Sequence, residues 1–201
     1  NMLEVFLKTL PFFALIGLGY GAGRTLFFTQ EATAYLTKFV FYFALSAMVF
    51  RFAANLSLAE VFNWSFIKAY LLGTLVVYLL ATLVAVLRSR PVAEAAVEAQ
   101  CAVIGNVGFL GIPMFVLLLG EAAIGPVMLV LAVDLTIFGS LIVILITGSR
   151  DGRMSLGVLR TVARGLIRNP MIVSITAGLF WYALDLPIPG HMNEIMGILV
   201  A

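Results

Sequence analysis

Long apolar runs alternate with short polar clusters along this chain. About 20 apolar residues cross the hydrocarbon core of a bilayer. On that measure the pattern predicts six complete membrane helices and the start of a seventh. They run from about Leu3 to Ala22, Ala32 to Ala54, Ser65 to Leu87, Ala95 to Leu119, Ala123 to Thr147 and Asn169 to Leu186. Pro11 lies inside the first, and Pro170 suits the first turn of the sixth. After Pro187-Ile-Pro189-Gly190 another apolar helix begins, from His191 to Ala201.

The fourth run is interrupted. Gly105-Asn-Val-Gly-Phe-Leu-Gly-Ile-Pro113 sets three glycines, an asparagine and a proline where a membrane helix should continue. Glycine and proline in a helix interior cost about 1 and 3 kcal/mol relative to alanine. In lipid, broken backbone persists only where protein or a water-lined cavity satisfies its polar groups. The first half-helix is expected to end near Gly108 and the second to start near Ile112-Pro113. Carbonyls of one half and free N–H groups of the other would then meet at mid-depth, an arrangement that can hold an anion on one side and a cation on the other. Asn106 adds two donors and an acceptor without bringing a charge into the membrane. A glycine-lined packing groove is the simpler reading of Gly105, Gly108 and Gly111. Asn106 and Pro113 are not needed for a groove, and they favour a binding site.

Charge gathers between the spans and sets orientation. Arg24 follows the first span, Arg88 and Arg90 the third, and Arg150, Arg153, Arg160, Arg164 and Arg168 the fifth, with only Asp151 against them. Arg51 and Lys68 flank the second loop, and Glu121 stands in the fourth without a basic partner nearby. The positive-inside rule places the odd loops in the cytoplasm and the N-terminus outside. The stretch from Gly148 to Arg168 reads first as a solvated basic connector and second as a short helix on the membrane surface.

Composition narrows the classes further. The chain is 63% hydrophobic and 11% charged, whereas soluble domains carry about 25% charged residues; it is expected to be an all-α, multi-pass integral membrane protein. One cysteine, Cys101, excludes an intrachain disulfide, and one histidine, His191, excludes a His cluster within the chain. No secretory signal is evident in the first segment. Neither a nucleophile–base pair nor a metal-ligand cluster is evident, so no enzyme activity, cofactor, metal or nucleic-acid partner is implied.

Asp134 lies inside the fifth span, and an intramembrane carboxyl is a functional candidate by default. Proton relay is one role, an interhelical hydrogen bond or ion pair the other. Glu98, two turns before Asn106, is either at the mouth of a cavity or interfacial, and Glu94 is more simply interfacial. Lys68 is expected to snorkel to the headgroups, and Glu4 and Lys8 to pair across one helical turn. Gly17-Leu-Gly19-Tyr-Gly21-Ala22 fits a loose dinucleotide-binding pattern, but it follows no strand, and close helix packing reads better. Asn55-Leu-Ser57 fits a glycosylation pattern too short to carry weight.

Three segments together resemble the auxin efflux carrier family, which includes plant PIN carriers and bacterial carriers of malonate and related acids. Phe39-Val-Phe-Tyr-Phe-Ala-Leu-Ser-Ala-Met-Val-Phe50 is similar to the family's second helix, Asn106 to Pro113 to its crossover motif, and Asn169-Pro170 with Gly178 and Leu186-Pro-Ile-Pro189 to the opening of its second half. The resemblance implies ten helices in two inverted five-helix repeats, with broken fourth and ninth helices. Residues 1–148 would form the first repeat, 149–168 a basic cytoplasmic loop, and 169–201 the sixth helix and the start of the seventh. On this reading the chain is a truncated form of the fold. The family usually has proline where Ser46 stands, and no invariant family acid matches Asp134. The implied function is a secondary transporter of small organic anions in the bacterial inner membrane, with Asn106, Gly108, Gly111, Ile112 and Pro113 at the substrate and Asp134 and Glu98 coupling a proton or sodium ion. Assembly as a homodimer is compatible with it. A non-transporting sensor or interaction protein that keeps the fold is the alternative; it predicts a dry break and a paired Asp134.

Overall fold

The computed structural model describes residues 2–56, 63–151 and 156–200. Ser57, Arg153 and Ala201 therefore lie outside the described residues. The helices are α1 (Met2–Arg24), α2 (Gln30–Ala53), α3 (Trp64–Leu87), α4 (Val92–Val103), α5 (Ile112–Leu119), α6 (Glu121–Arg150), α7 (Leu156–Arg168), α8 (Pro170–Ala183) and α9 (Gly190–Val200). Among the described residues, five helical segments are long and apolar enough to cross a membrane: α1, α2, α3, the α4–α5 stretch Val92–Leu119, and α6. The expected sixth span is shorter than predicted. α8 has 14 residues, about 21 Å at 1.5 Å per residue, because it turns off at Asp185, whose φ is 52°.

Polar side chains define where the helices start. Thr29, Asn63 and Asn169 accept hydrogen bonds from N–H groups of the first turns of α2, α3 and α8. Pro170 occupies the first turn of α8, where its missing N–H costs nothing. The chain from Leu156 to Arg168 is a helix, not the solvated connector read first from its charge. Val158 anchors it with 2% exposure, and it packs against the second half of α6 and against α8.

Two buried clusters organise the molecule. One joins α2, α5, α6 and α8 through Leu45, Val49, Ile112, Met128, Leu131, Met171 and Ile175. The other joins α3, α4 and α6 through Tyr78, Ala99, Leu129, Val133 and Phe138. Lipid tails are as apolar as leucine, so van der Waals fit, and not water exclusion, must hold such helices together. The fit is tightest where α2 crosses α8. A Cβ at Gly178 would stand 2.6 Å from Ala53 Cβ and 2.7 Å from the Phe50 carbonyl oxygen, closer than any side chain permits. The packing expected at Gly17, Gly19 and Gly21 is not found: a Cβ at any of them meets nothing within 4 Å. α1 touches α5 and is otherwise exposed along its length.

Two of the long helices are not uniform. α2 widens to a π-helical turn at Val40–Ala44 and α6 at Asp134–Phe138. Such turns loosen the regular ladder and often mark functional positions. Side chains take up the slack. Ser46 Oγ donates to the Phe41 carbonyl at 3.0 Å, and Thr136 Oγ1 donates to the Ala132 carbonyl at 2.6 Å. The second helix is thus irregular at the Phe41–Ser46 level without the proline its resemblance led one to expect.

Candidate functional site

The break lies between the two clusters. Val103 and Ile104, at the end of α4, pack against the α3–α4–α6 cluster, while Val107 and Ile112 belong to the α2–α5–α6–α8 side. The first half-helix ends at Val103, five residues before the position expected near Gly108. Asn106 is the reason. Its backbone leaves the helical region, with φ −80° and ψ 64°, and its side chain caps the following turn, Val107–Gly111. Asn106 Oδ1 accepts the Phe109 N–H at 3.2 Å, and its backbone carbonyl accepts those of Leu110 and Gly111 at 3.2 and 2.9 Å. One residue thereby satisfies three N–H groups of the second half. α5 continues from Ile112, so the helical path restarts at Val107 and not at Pro113.

The residues singled out from the sequence separate into distinct roles. Asn106 is exposed, and its amide nitrogen makes no hydrogen bond among the described residues. Gly105 is open, with nothing within 4 Å of a Cβ. Gly108 is a contact point: a Cβ there would stand 2.9 Å from Met171 Cε and 3.3 Å from Leu45 Cδ2. Gly111 lies behind the cap, where a Cβ would stand 3.6 Å from the Asn106 carbonyl oxygen. Ile112 is 1% exposed and belongs to the core. Pro113 is half-buried in the first turn of α5. The Phe109 ring stacks on Phe41 at 6.4 Å between centroids, which joins the break to the π-turn of α2.

Asp134 is buried. Tyr70 Oη, from α3, donates to its Oδ1 at 2.6 Å, and Thr74 lies beside the same phenol. Oδ2 is buried with no partner among the described residues. Val133, just before the Asp134 turn, and Phe138, its last residue, pack in the cluster that receives Val103 and Ile104. The acid and the break therefore share neighbours. Sequence reasoning missed Tyr70, because one tyrosine in a long apolar helix carries no pattern. Its place one turn before Thr74 was the available hint.

Glu98 is elsewhere. It bonds Arg88 at 3.1 Å and approaches Arg90 Nε at 3.9 Å, while Arg90 also meets Glu94 at 3.4 Å. These groups are partly exposed at the α3–α4 loop, where ion pairs contribute roughly 0–1 kcal/mol. Glu98 is thus held in an ion-pair cluster at that loop, away from the break. Lys8 and Glu4 pair at 3.0 Å as expected.

A cavity of about 380 Å³ borders the break at Val107, with Phe66, Phe115, Pro126 and Val130 among its walls. Its lining is apolar, and Asn106 is not part of it. A second cavity, of about 600 Å³, is polar, with Arg51, Asn55 and Glu121 in its walls. Among the described residues no cluster of His, Cys, Asp and Glu could hold a metal ion.

A sequence profile described as "Membrane transport protein" matches residues 4–200, nearly the whole chain. The chain belongs to the auxin efflux carrier family of membrane transport proteins. A protein of Rhizobium meliloti (strain 1021) named "Putative malonate transporter" is 30% identical over 179 residues, covering 88% of this chain and 56% of that relative. The chain thus spans little more than half the relative's length. Its all-α, multi-pass architecture agrees with the expectation from the sequence.

Proposed function

We propose that this protein works as a secondary transporter of small organic anions, dicarboxylates such as malonate among them, by alternating access around the broken helix. The observation that carries this reading is the state of Asn106. Its oxygen is committed to the cap, and its amide N–H groups are left for a ligand. Those are donors, the polarity a carboxylate needs. Gly108, Gly111, Ile112 and Pro113 support the site by holding the break in shape. The family and the name of the relative support the substrate class. Loop charge supports an N-terminus outside, and short loops with the resemblance to a bacterial relative support a bacterial inner membrane.

Asp134 is the candidate for ion coupling. Its Tyr70 bond positions one oxygen, and the other could exchange a proton as the helices move. Glu98, held by two arginines, is the weaker candidate.

The test is uptake of labelled malonate and related acids by proteoliposomes containing the full-length protein. Saturable uptake that Asn106→Ala abolishes or weakens is expected. Uptake and affinity unchanged in that variant would remove the site assignment.

One observation favours the second reading, a sensor or interaction protein on the same fold: Asp134 is paired, as that reading requires. Labelling separates the two. Exposed Cys101 is first replaced by serine, and a cysteine is placed at position 106. A water-soluble thiol reagent reaches it in a transporter and fails to in a dry fold.

A further inference from the structure

Helix α7 carries a charge pattern that neither transport nor orientation requires in this form. At about 100° per residue, its positions fall into successive arcs. Val158, Val162 and Leu166 form the seated face, with Val158 buried and the other two half-buried. Leu159, Ala163 and Ile167 come next around the helix and are exposed, Leu159 at 58% and Ile167 at 73%. Arg160, Arg164 and Arg168 follow, all exposed. The described ion pairs include none of the three arginines. An exposed apolar arc beside an unneutralised basic arc is the arrangement of a helix lying in a membrane interface.

A groove continues this surface. Leu166 and Ile167 form one end of an apolar cavity of about 640 Å³, whose length is α8, through Ile172, Thr176, Phe180 and Trp181. From Pro170 to Trp181 the helix rises about 16 Å, close to the ~15 Å depth of one leaflet's hydrocarbon. Arg168 closes α7 two residues before α8 begins. A cationic rim therefore stands at one end of an acyl-length apolar trough.

We propose that the α7–α8 groove binds an anionic phospholipid of the cytoplasmic leaflet, with its phosphate on Arg164 and Arg168 and an acyl chain along α8. Charge complementarity selects this occupant: a zwitterionic lipid fills the trough equally well but gains less from the arginines. Attraction of a basic residue to an anionic surface corresponds to about a fivefold preference per arginine engaged.

Trp181 reports occupancy directly. The full chain, with every other tryptophan replaced by phenylalanine, is reconstituted in phosphatidylcholine vesicles. These contain a small fraction of either phosphatidylglycerol or phosphatidylcholine brominated along the acyl chains. Brominated phosphatidylglycerol is expected to quench Trp181 fluorescence at a mole fraction about 25-fold lower than brominated phosphatidylcholine needs, about fivefold for each of the two arginines, and the preference should shrink as salt rises. Arg164→Gln with Arg168→Gln should equalise the two lipids, whereas Arg164→Lys with Arg168→Lys should retain most of the preference. Equal quenching in the unaltered protein overturns the proposal, as does a preference that survives the glutamine pair. Failure of both lipids to quench also overturns it, by showing the groove filled with protein.

Discussion

Asn106 does two things that substitution can separate. As a cap it needs only an acceptor, and aspartate caps as well as asparagine. As a ligand for a carboxylate it needs the amide donors, which aspartate lacks. Asn106→Asp should therefore keep the thermal stability of the unaltered protein and weaken anion binding by about tenfold or more, the scale of one hydrogen bond to a charged group. Asn106→Ala should lose both, with about 1 kcal/mol of stability gone through the cap alone. Equal anion affinity in Asn106→Asp and the unaltered chain, measured by substrate-induced thermal shift, would leave the residue a cap and nothing more. The same logic applies to Asp134. Asparagine at that position still accepts from Tyr70 but cannot exchange a proton. Uptake driven by a pH gradient should become independent of that gradient in Asp134→Asn, while uptake without a gradient persists. If the variant still responds to the gradient, coupling lies elsewhere.

At the scale of elements, the sequence was readable where side-chain type alone decides. The ends of α2, α3 and α6 fall within a few residues of the hydrophobic pattern, because the pattern and the bilayer thickness are the same constraint. The break was legible too, since only a special site collects Gly105, Asn106 and Pro113 in one span. Its boundary was not. Composition suggested that glycine and proline end the first half, whereas the Asn106 cap does so earlier. The π-turns at Val40–Ala44 and Asp134–Phe138 left no trace, because one extra residue in a turn alters neither hydropathy nor propensity. Gly178 stood out only by resemblance, and its physical reason appears in the α2–α8 crossing. Alanine there drives a methyl group against the Ala53 side chain and the Phe50 and Ala54 backbone. Gly178→Ala should lower stability by about 1–3 kcal/mol, the range for overpacking, read as a drop in thermal midpoint in detergent. Gly105→Ala is the control, with open space around its new carbon. A midpoint unchanged in Gly178→Ala would mean that the two helices separate easily.

For the molecule as a whole, backbone proximity makes α2 and α8 a single strut. Two helices whose main chains touch cannot slide past each other without first parting. The break meets that strut through softer parts: the flexible Met171 thioether over Gly108, and the parallel Phe41 and Phe109 rings. Flat rings and a thioether permit glide where a backbone lock forbids it. If the protein transports as proposed, this seam is where the break is expected to move against the strut. Short cross-links can tell the two contacts apart. A tether from Phe50→Cys to Trp181→Cys, where the rings lie 6.0 Å apart, should spare uptake. A tether from Phe41→Cys to Phe109→Cys, at a similar spacing, should arrest it. Arrest by the first tether with uptake spared by the second would reverse the mechanics, making the strut the joint and the seam the weld.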